Sequence, residues 1–156
     1  MLSDLPDYLK ATGLTWTPMV HRNGGDAYRS KDVRGYEIDV VTRLDQGEPY
    51  TMVTVVRGIG IYSLCHCPDL TKLSEVIASG IVQLHLPELC DFAHAGGELP
   101  FPNLPAPLLA PFNAALREQL PTALAAQSRA TEALVSLGLA LGMTSDALCI
   151  DLVELA

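Results

Sequence analysis

The stretch Tyr36–Leu44 constrains this chain most, because Tyr36, Ile38, Val40, Thr42 and Leu44 alternate with Glu37, Asp39, Val41 and Arg43. Period-two alternation sends the two sets to opposite faces of a strand, one toward a core and one toward water. Asp45-Gln46-Gly47-Glu48 then predicts a four-residue hairpin loop. Tyr50–Arg57, rich in Thr and Val, is the expected antiparallel partner. Gly58-Ile59-Gly60 permits a bend, and Ile61–Cys67 reads as a third strand or a continuation of the second.

Helical signals flank this hairpin. Ser3 is the expected N-cap of a first helix over about Asp4–Thr12, with Asp4 and Asp7 complementing its dipole, Leu5 and Leu9 on one face, and Gly13 ending it. Pro18 limits Leu14–His21 to an edge strand at best, and Asn23-Gly24-Gly25-Asp26 marks a turn. Pro68-Asp69 opens a second helix that carries Leu70, Leu73, Val76 and Ile77 on one face and closes at Gly80. Two short strands are expected at about Gln83–His94 and Glu98–Phe101, around Ala95-Gly96-Gly97. The five prolines of Pro100–Pro111 predict a rigid, mostly irregular connection. Beyond it the chain is helical, with Leu109, Phe112, Leu116 and Leu120 in a stripe, Pro121 kinking or restarting the helix, and a last helix near Leu148, Leu152 and Leu155. The expected fold is therefore α+β in the order α-β-β-β-α-β-β-α: an antiparallel sheet packed by helices, with an extra C-terminal helical segment.

A length of 156 residues suits one domain, 1–156, with a core over about 4–135 and a tail over about 136–156. The net charge of −8 is uneven. Residues 1–57 hold eight acids and seven bases, whereas residues 58–156 hold ten acids and only Lys72, Arg117 and Arg129. Such a surface repels phosphate backbones, which argues against direct nucleic-acid binding and for a basic protein partner. The acids of the N-terminal stretch do not resemble an export signal, and no apolar run approaches the roughly 20 residues of a membrane span. Four cysteines without framework spacing fit a reducing compartment, so the expected location is cytoplasmic, with free thiols.

Cys65, His66, Cys67, Cys90 and His94 are the one cluster with chemical potential. On an extended segment Cys65 and Cys67 share a face while His66 points away, so the adjacent Cys-His pair cannot form a nucleophile–base dyad. Cys65, Cys67, Cys90 and His94 offer the right ligand types for zinc, but their spacing is not that of a zinc finger. Buried structural cysteines are the simpler reading. His21, Arg22, Arg29, Lys31 and Arg34 read as a solvated loop, and Glu37 and Asp39 as surface acids on the solvent side of their strand. No Walker loop, His-Glu-x-x-His, Gly-x-Ser-x-Gly or dinucleotide fingerprint occurs, and neither a catalytic residue nor a cofactor is expected.

The order of elements resembles a known family. A short helix ending in Leu-Lys-Ala-Thr-Gly-Leu-Thr-Trp (Leu9–Trp16) leads to the hairpin Tyr36–Arg57. A second helix then leads to Phe-Ala-His-Ala-Gly-Gly-Glu-Leu-Pro-Phe (Phe92–Phe101) and a closing helix. Over about residues 4–135 this resembles the YbjN-like proteins, whose fold is shared with type III secretion chaperones. The resemblance implies a small acidic homodimer that binds a client protein without doing chemistry. A basic DNA-processing or DNA-repair protein is a reasonable client. Leu73, Val76 and Ile77 are the expected dimer contacts; Phe112, Leu116, Leu148 and Leu152 supply further apolar surface for a dimer or client. The alternative is a metal- or redox-linked regulator using the Cys65–His94 cluster.

Overall fold

The computed structural model describes residues 4–22, 24–95 and 102–140, with the side chains of 92–95 and 138–140 left aside. Among the described residues an α-helix, α1 (Leu5–Ala11), precedes five strands: β1 (Thr17–Met19), β2 (Asp26–Ser30), β3 (Glu37–Asp45), β4 (Glu48–Val56) and β5 (Tyr62–His66). A 3-10 turn over Leu70–Lys72 leads into α2 (Leu73–Ala95), and α3 spans Ala106–Ala140. The strands form one antiparallel meander in the order β1-β2-β3-β4-β5, so the chain is α+β as its sequence predicts. By internal packing it divides into Met1–Leu120 and Pro121–Ala156. None of the described helices is long and apolar enough to cross a membrane.

The first unit is built on one face of the sheet. Ile38 and Val40 of β3 and Val53 and Val55 of β4 point inward. Leu5 and Leu9 of α1, Leu73, Ile77 and Ile81 of α2, and Leu108 and Phe112 of α3 join them in the core. Each large apolar side chain buried in this way contributes about 1.5–3 kcal/mol. Near the end of α1 the Thr12 hydroxyl donates to the Leu9 carbonyl (2.6 Å), and the Trp16 indole N–H donates to the same oxygen (2.9 Å). Thus α1 is tied to the segment that enters β1. Ser3, the expected cap, lies outside the described residues.

Several expectations need correction. The β3–β4 connection is a two-residue turn, since Asp45 and Glu48 are themselves paired. Gln46 (φ 52°) and Gly47 (φ 90°) both take left-handed conformations, the type I′ geometry that matches the twist of a hairpin. The second helix does not close at Gly80 but runs to Ala95, through Pro87 and through the segment expected to be a strand. Pro87 cannot donate to the preceding turn. Close by, the Leu84 carbonyl accepts a hydrogen bond from Arg57 Nη1 (3.1 Å), and Ile81, Val82 and Leu89 are fully buried. Tertiary packing thus overrides a helix penalty of about 3 kcal/mol. The expected strand Glu98–Phe101 lies outside the described residues. The proline-rich connection ends at Pro105; α3 begins at Ala106 and continues through Pro111 and Pro121. Finally, the supposed basic loop contains β2, whose alternation is masked by charge.

Candidate protein-binding surface

Among the described residues of the first unit, the helices cover one face of the sheet and leave the other open. Cross-strand register places Arg29, Asp39, Thr54 and Leu64 in one row of the open face, and Val41, Met52 and His66 in the next. Tyr62 and Leu64 are 63% and 58% exposed, and Ile59 and Ile61 beside them are also exposed. Toward β2 the face is polar but internally neutralised. Arg29 donates Nε and Nη2 to the two carboxylate oxygens of Asp39, both at 2.7 Å, and its Nη2 lies 3.0 Å from Glu37. The bond to Asp39 holds the guanidinium more firmly protonated than usual. Lys31 completes the set at 2.9 Å from Glu37. Glu37 and Asp39 are therefore half-buried ion-pair partners rather than solvated acids, and Arg29 and Lys31 are not free loop charges. Near the hairpin end His66 stacks on Tyr50 (centroids 4.3 Å apart), with Arg43 5.6 Å from the same ring.

Among the described residues, one edge of the sheet is also unpaired. Cys67 N donates to Thr51 O and Arg57 N donates to Ile61 O, both at 2.8 Å. In an antiparallel ladder, bonded and non-bonded pairs alternate. Odd-numbered residues of β5 therefore face β4, and the backbone N–H and C=O groups of Tyr62, Leu64 and His66 point outward. No described strand pairs with that side. The five residues of β5 contain no Lys, Asp, Glu or Pro, the devices that ordinarily blunt an edge. At the opposite edge β1 has only three residues, one of them Pro18.

The expected metal and interface residues are dispersed. Cys65 is half-buried, with its sulfur 3.5 Å from Ser63 Oγ. Cys67 is buried and donates to the Asp69 carbonyl (3.2 Å). Ser63 Oγ donates to Gln83 Oε1 (2.8 Å), fixing Gln83 level with Ser63. Cys90 lies seven residues beyond Gln83 on α2, about 10 Å farther along the axis, whereas Cys67 lies at the opposite end, before the helix. The His94 side chain is outside those described. Among the described residues no group of three or more His, Cys, Asp or Glu could hold a metal ion. Burial pushes the Cys67 and Cys90 thiols above their usual pKa, which opposes thiolate chemistry. Of the expected interface residues, Leu73, Ile77 and Phe112 are fully buried within the domain. Val76 and Leu116 are half-buried against the same core. Leu148 and Leu152 lie outside the described residues.

One polar network escaped the sequence reading. The Tyr36 hydroxyl lies 3.0 Å from His85 Nδ1, and Glu88 Oε2 lies 3.4 Å from that nitrogen. Glu88 in turn pairs with Arg57, whose guanidinium carbon is 5.8 Å from the Tyr36 ring centre. Burial raises the Tyr36 pKa despite the opposing charge of Arg57, so the phenol stays neutral and ties α2 to the sheet. Reading Gln83–His94 as a strand hid the helical spacing of His85 and Glu88. No family model, curated protein or solved structure matches this chain.

Proposed function

We propose that this protein is a non-catalytic, chaperone-like adaptor whose open sheet face and free β5 edge receive an extended segment of a client protein. The observation that carries this reading is the β5 edge itself: outward-facing backbone groups at Tyr62, Leu64 and His66, beside exposed apolar side chains, with no charged residue within the strand. Such an edge accepts a further strand, the backbone supplying affinity and alternate side chains supplying selectivity. The resemblance to YbjN-like proteins and secretion chaperones, cytoplasmic and protein-binding, points the same way. The acidic surplus lies in the sequence after residue 57, and it serves to attract a basic client such as a DNA-processing protein. The proposed homodimer rests on the family resemblance, because the core consumes Leu73, Ile77 and Phe112. A constant mass of 16.7 kDa by light scattering at micromolar concentration would count against it.

Tethered full-length protein should recover a specific partner from lysate, and Leu64→Lys should abolish recovery while leaving the fold intact. Hydrogen exchange on the recovered complex should slow at Leu64 and His66. Capture at background level, or capture unaffected by Leu64→Lys, defeats the proposal.

A further inference from the structure

The later part of α3 meets water on most sides. Leu134 and Leu137 are 46% and 57% exposed, Ala130 is exposed, and Leu120, Ala123 and Gln127 are half-buried. Helices in proteins owe most of their stability to packing one face rather than to propensity, so this face calls for a partner. It keeps a single period. Leu120, Ala123, Gln127, Ala130, Leu134 and Leu137 follow one another at intervals of three, four, three, four and three residues. That spacing is the seam of a two-stranded coiled coil, narrower than the broad stripe that packs a helix onto a domain core. Arg129 and Glu132, the only charged residues from Gln119 to Ala140, point away from the seam.

The seam is complementary to itself when reversed. Laid antiparallel on a second copy, about a two-fold axis between Ser128 and Arg129, it sets Leu120 opposite Leu137, Ala123 opposite Leu134 and Gln127 opposite Ala130. The symmetry repeats each layer once. Large faces small in the Ala123–Leu134 layers, and no central layer holds two large side chains, so the backbones can approach closely without overlap. A parallel pair would instead stack alanine on alanine at 123 and 130 and leave voids between leucine layers. Charge permits the approach as well. Within α3, Arg117 and Arg129 balance Glu118 and Glu132, in a chain whose net charge is −8. Two copies therefore meet here without the repulsion of two acidic surfaces.

We infer that a second copy of this chain docks along α3 from Leu120 to Leu137, forming an antiparallel two-helix seam. The inference rests on the homodimer of the proposed function and gives it an interface, and it uses no residue of the β5 edge. The overlap is about 27 Å long, short for a coiled coil, so association is expected in the micromolar range. Sedimentation equilibrium of the full chain at micromolar concentrations should show reversible exchange between monomer and dimer. Leu134→Asp should weaken the dimer more than tenfold, because the axis places each substitution in two layers. Leu134 is exposed in the single chain, so the fold should survive this change. Leu64→Lys should leave association unchanged. Register is read with Ala123→Cys and Leu134→Cys in one chain, where oxidation should link two copies through two disulfides. These positions stand about 16 Å apart along one helix, too far to bridge within a chain. Either substitution alone should add no crosslink to that of the parent protein.

A dimer that withstands Leu134→Asp, or that Ala123→Cys alone crosslinks, overturns the inference while the homodimer stands. A dimer lost in Leu64→Lys and kept in Leu134→Asp places the interface at the β5 edge and overturns it too. A monomer at every concentration overturns both the seam and the homodimer. If removing residues 141–156 from that monomer speeds hydrogen exchange at Ala130–Leu137, the occupant is the chain's own C-terminal segment.

Discussion

At Gly80 a Cβ would stand 2.8 Å from Val55 Cγ2 and 3.6 Å from Ser63 Oγ. That distance is shorter than van der Waals contact, and valine, being β-branched, has little rotamer freedom to yield. In an ordinary exposed helix, replacing Gly by Ala is favourable by about 1 kcal/mol; here overpacking, typically 1–3 kcal/mol, opposes it. Gly80→Ala is therefore expected to lower the unfolding free energy by about 1 kcal/mol in a urea titration. A more stable variant would mean that α2 is not held this close to β4. Gly80 also shows why local sequence misleads. A glycine after an apolar stripe reads as a helix end, yet this one continues the helix and permits its close approach to the sheet. Only the strand across the interface distinguishes the two roles.

Among the elements, α1, β3, β4 and β5 were legible because each keeps one period with one buried face. β2 was obscured because its open-face charges, Arg29 foremost, find their partners on β3 rather than in nearby sequence. The second half of α2 was obscured because Pro87 speaks against a helix locally, whereas Ile81, Val82 and Leu89 are fixed by contacts across the core. The candidate binding surface was less legible still. An alternating strand announces two faces but not which neighbouring elements cover them, and an edge is defined by strand order alone. The hairpin turn supplies a test at this scale. Gln46 holds φ 52° in a type I′ turn, where asparagine is much better tolerated. Gln46→Asn should raise stability by roughly 0.5 kcal/mol and the midpoint of thermal unfolding by about 1–2 °C. No gain, or a loss, would contradict the two-residue turn.

Across the whole molecule, burial has a consequence for pH. The Cys67 and Cys90 thiols and the Tyr36 phenol are neutral acids whose charged forms burial disfavours, so all three have pKa values raised in the folded state. Unfolding restores the ordinary values of 9.0 for the thiols and 10.0 for the phenol. Above those values the unfolded chain has released protons that the folded chain still holds, and stability falls as pH rises. The contribution is complete below the unfolded values and is lost as pH climbs through the folded ones. Asp69 acts at the other end of the scale: its bonds to Thr71 lower its pKa, so its contribution exists above the unfolded carboxylate value and disappears as pH falls through the folded one. The unfolding free energy should thus hold steady near neutrality and decline from about pH 9 upward. Cys67→Ala should make the first part of the alkaline decline shallower, because it removes one ionisable thiol from the unfolded chain. Cavity formation should lower the neutral plateau of that variant by about 1 kcal/mol, so the slope against pH is the quantity to compare. Denaturant titrations of both proteins at several pH values between 7 and 10.5 supply it. Parallel alkaline slopes would show that the Cys67 thiol ionises as readily in the fold as outside it, contrary to its burial between the β5 end and the 3-10 turn.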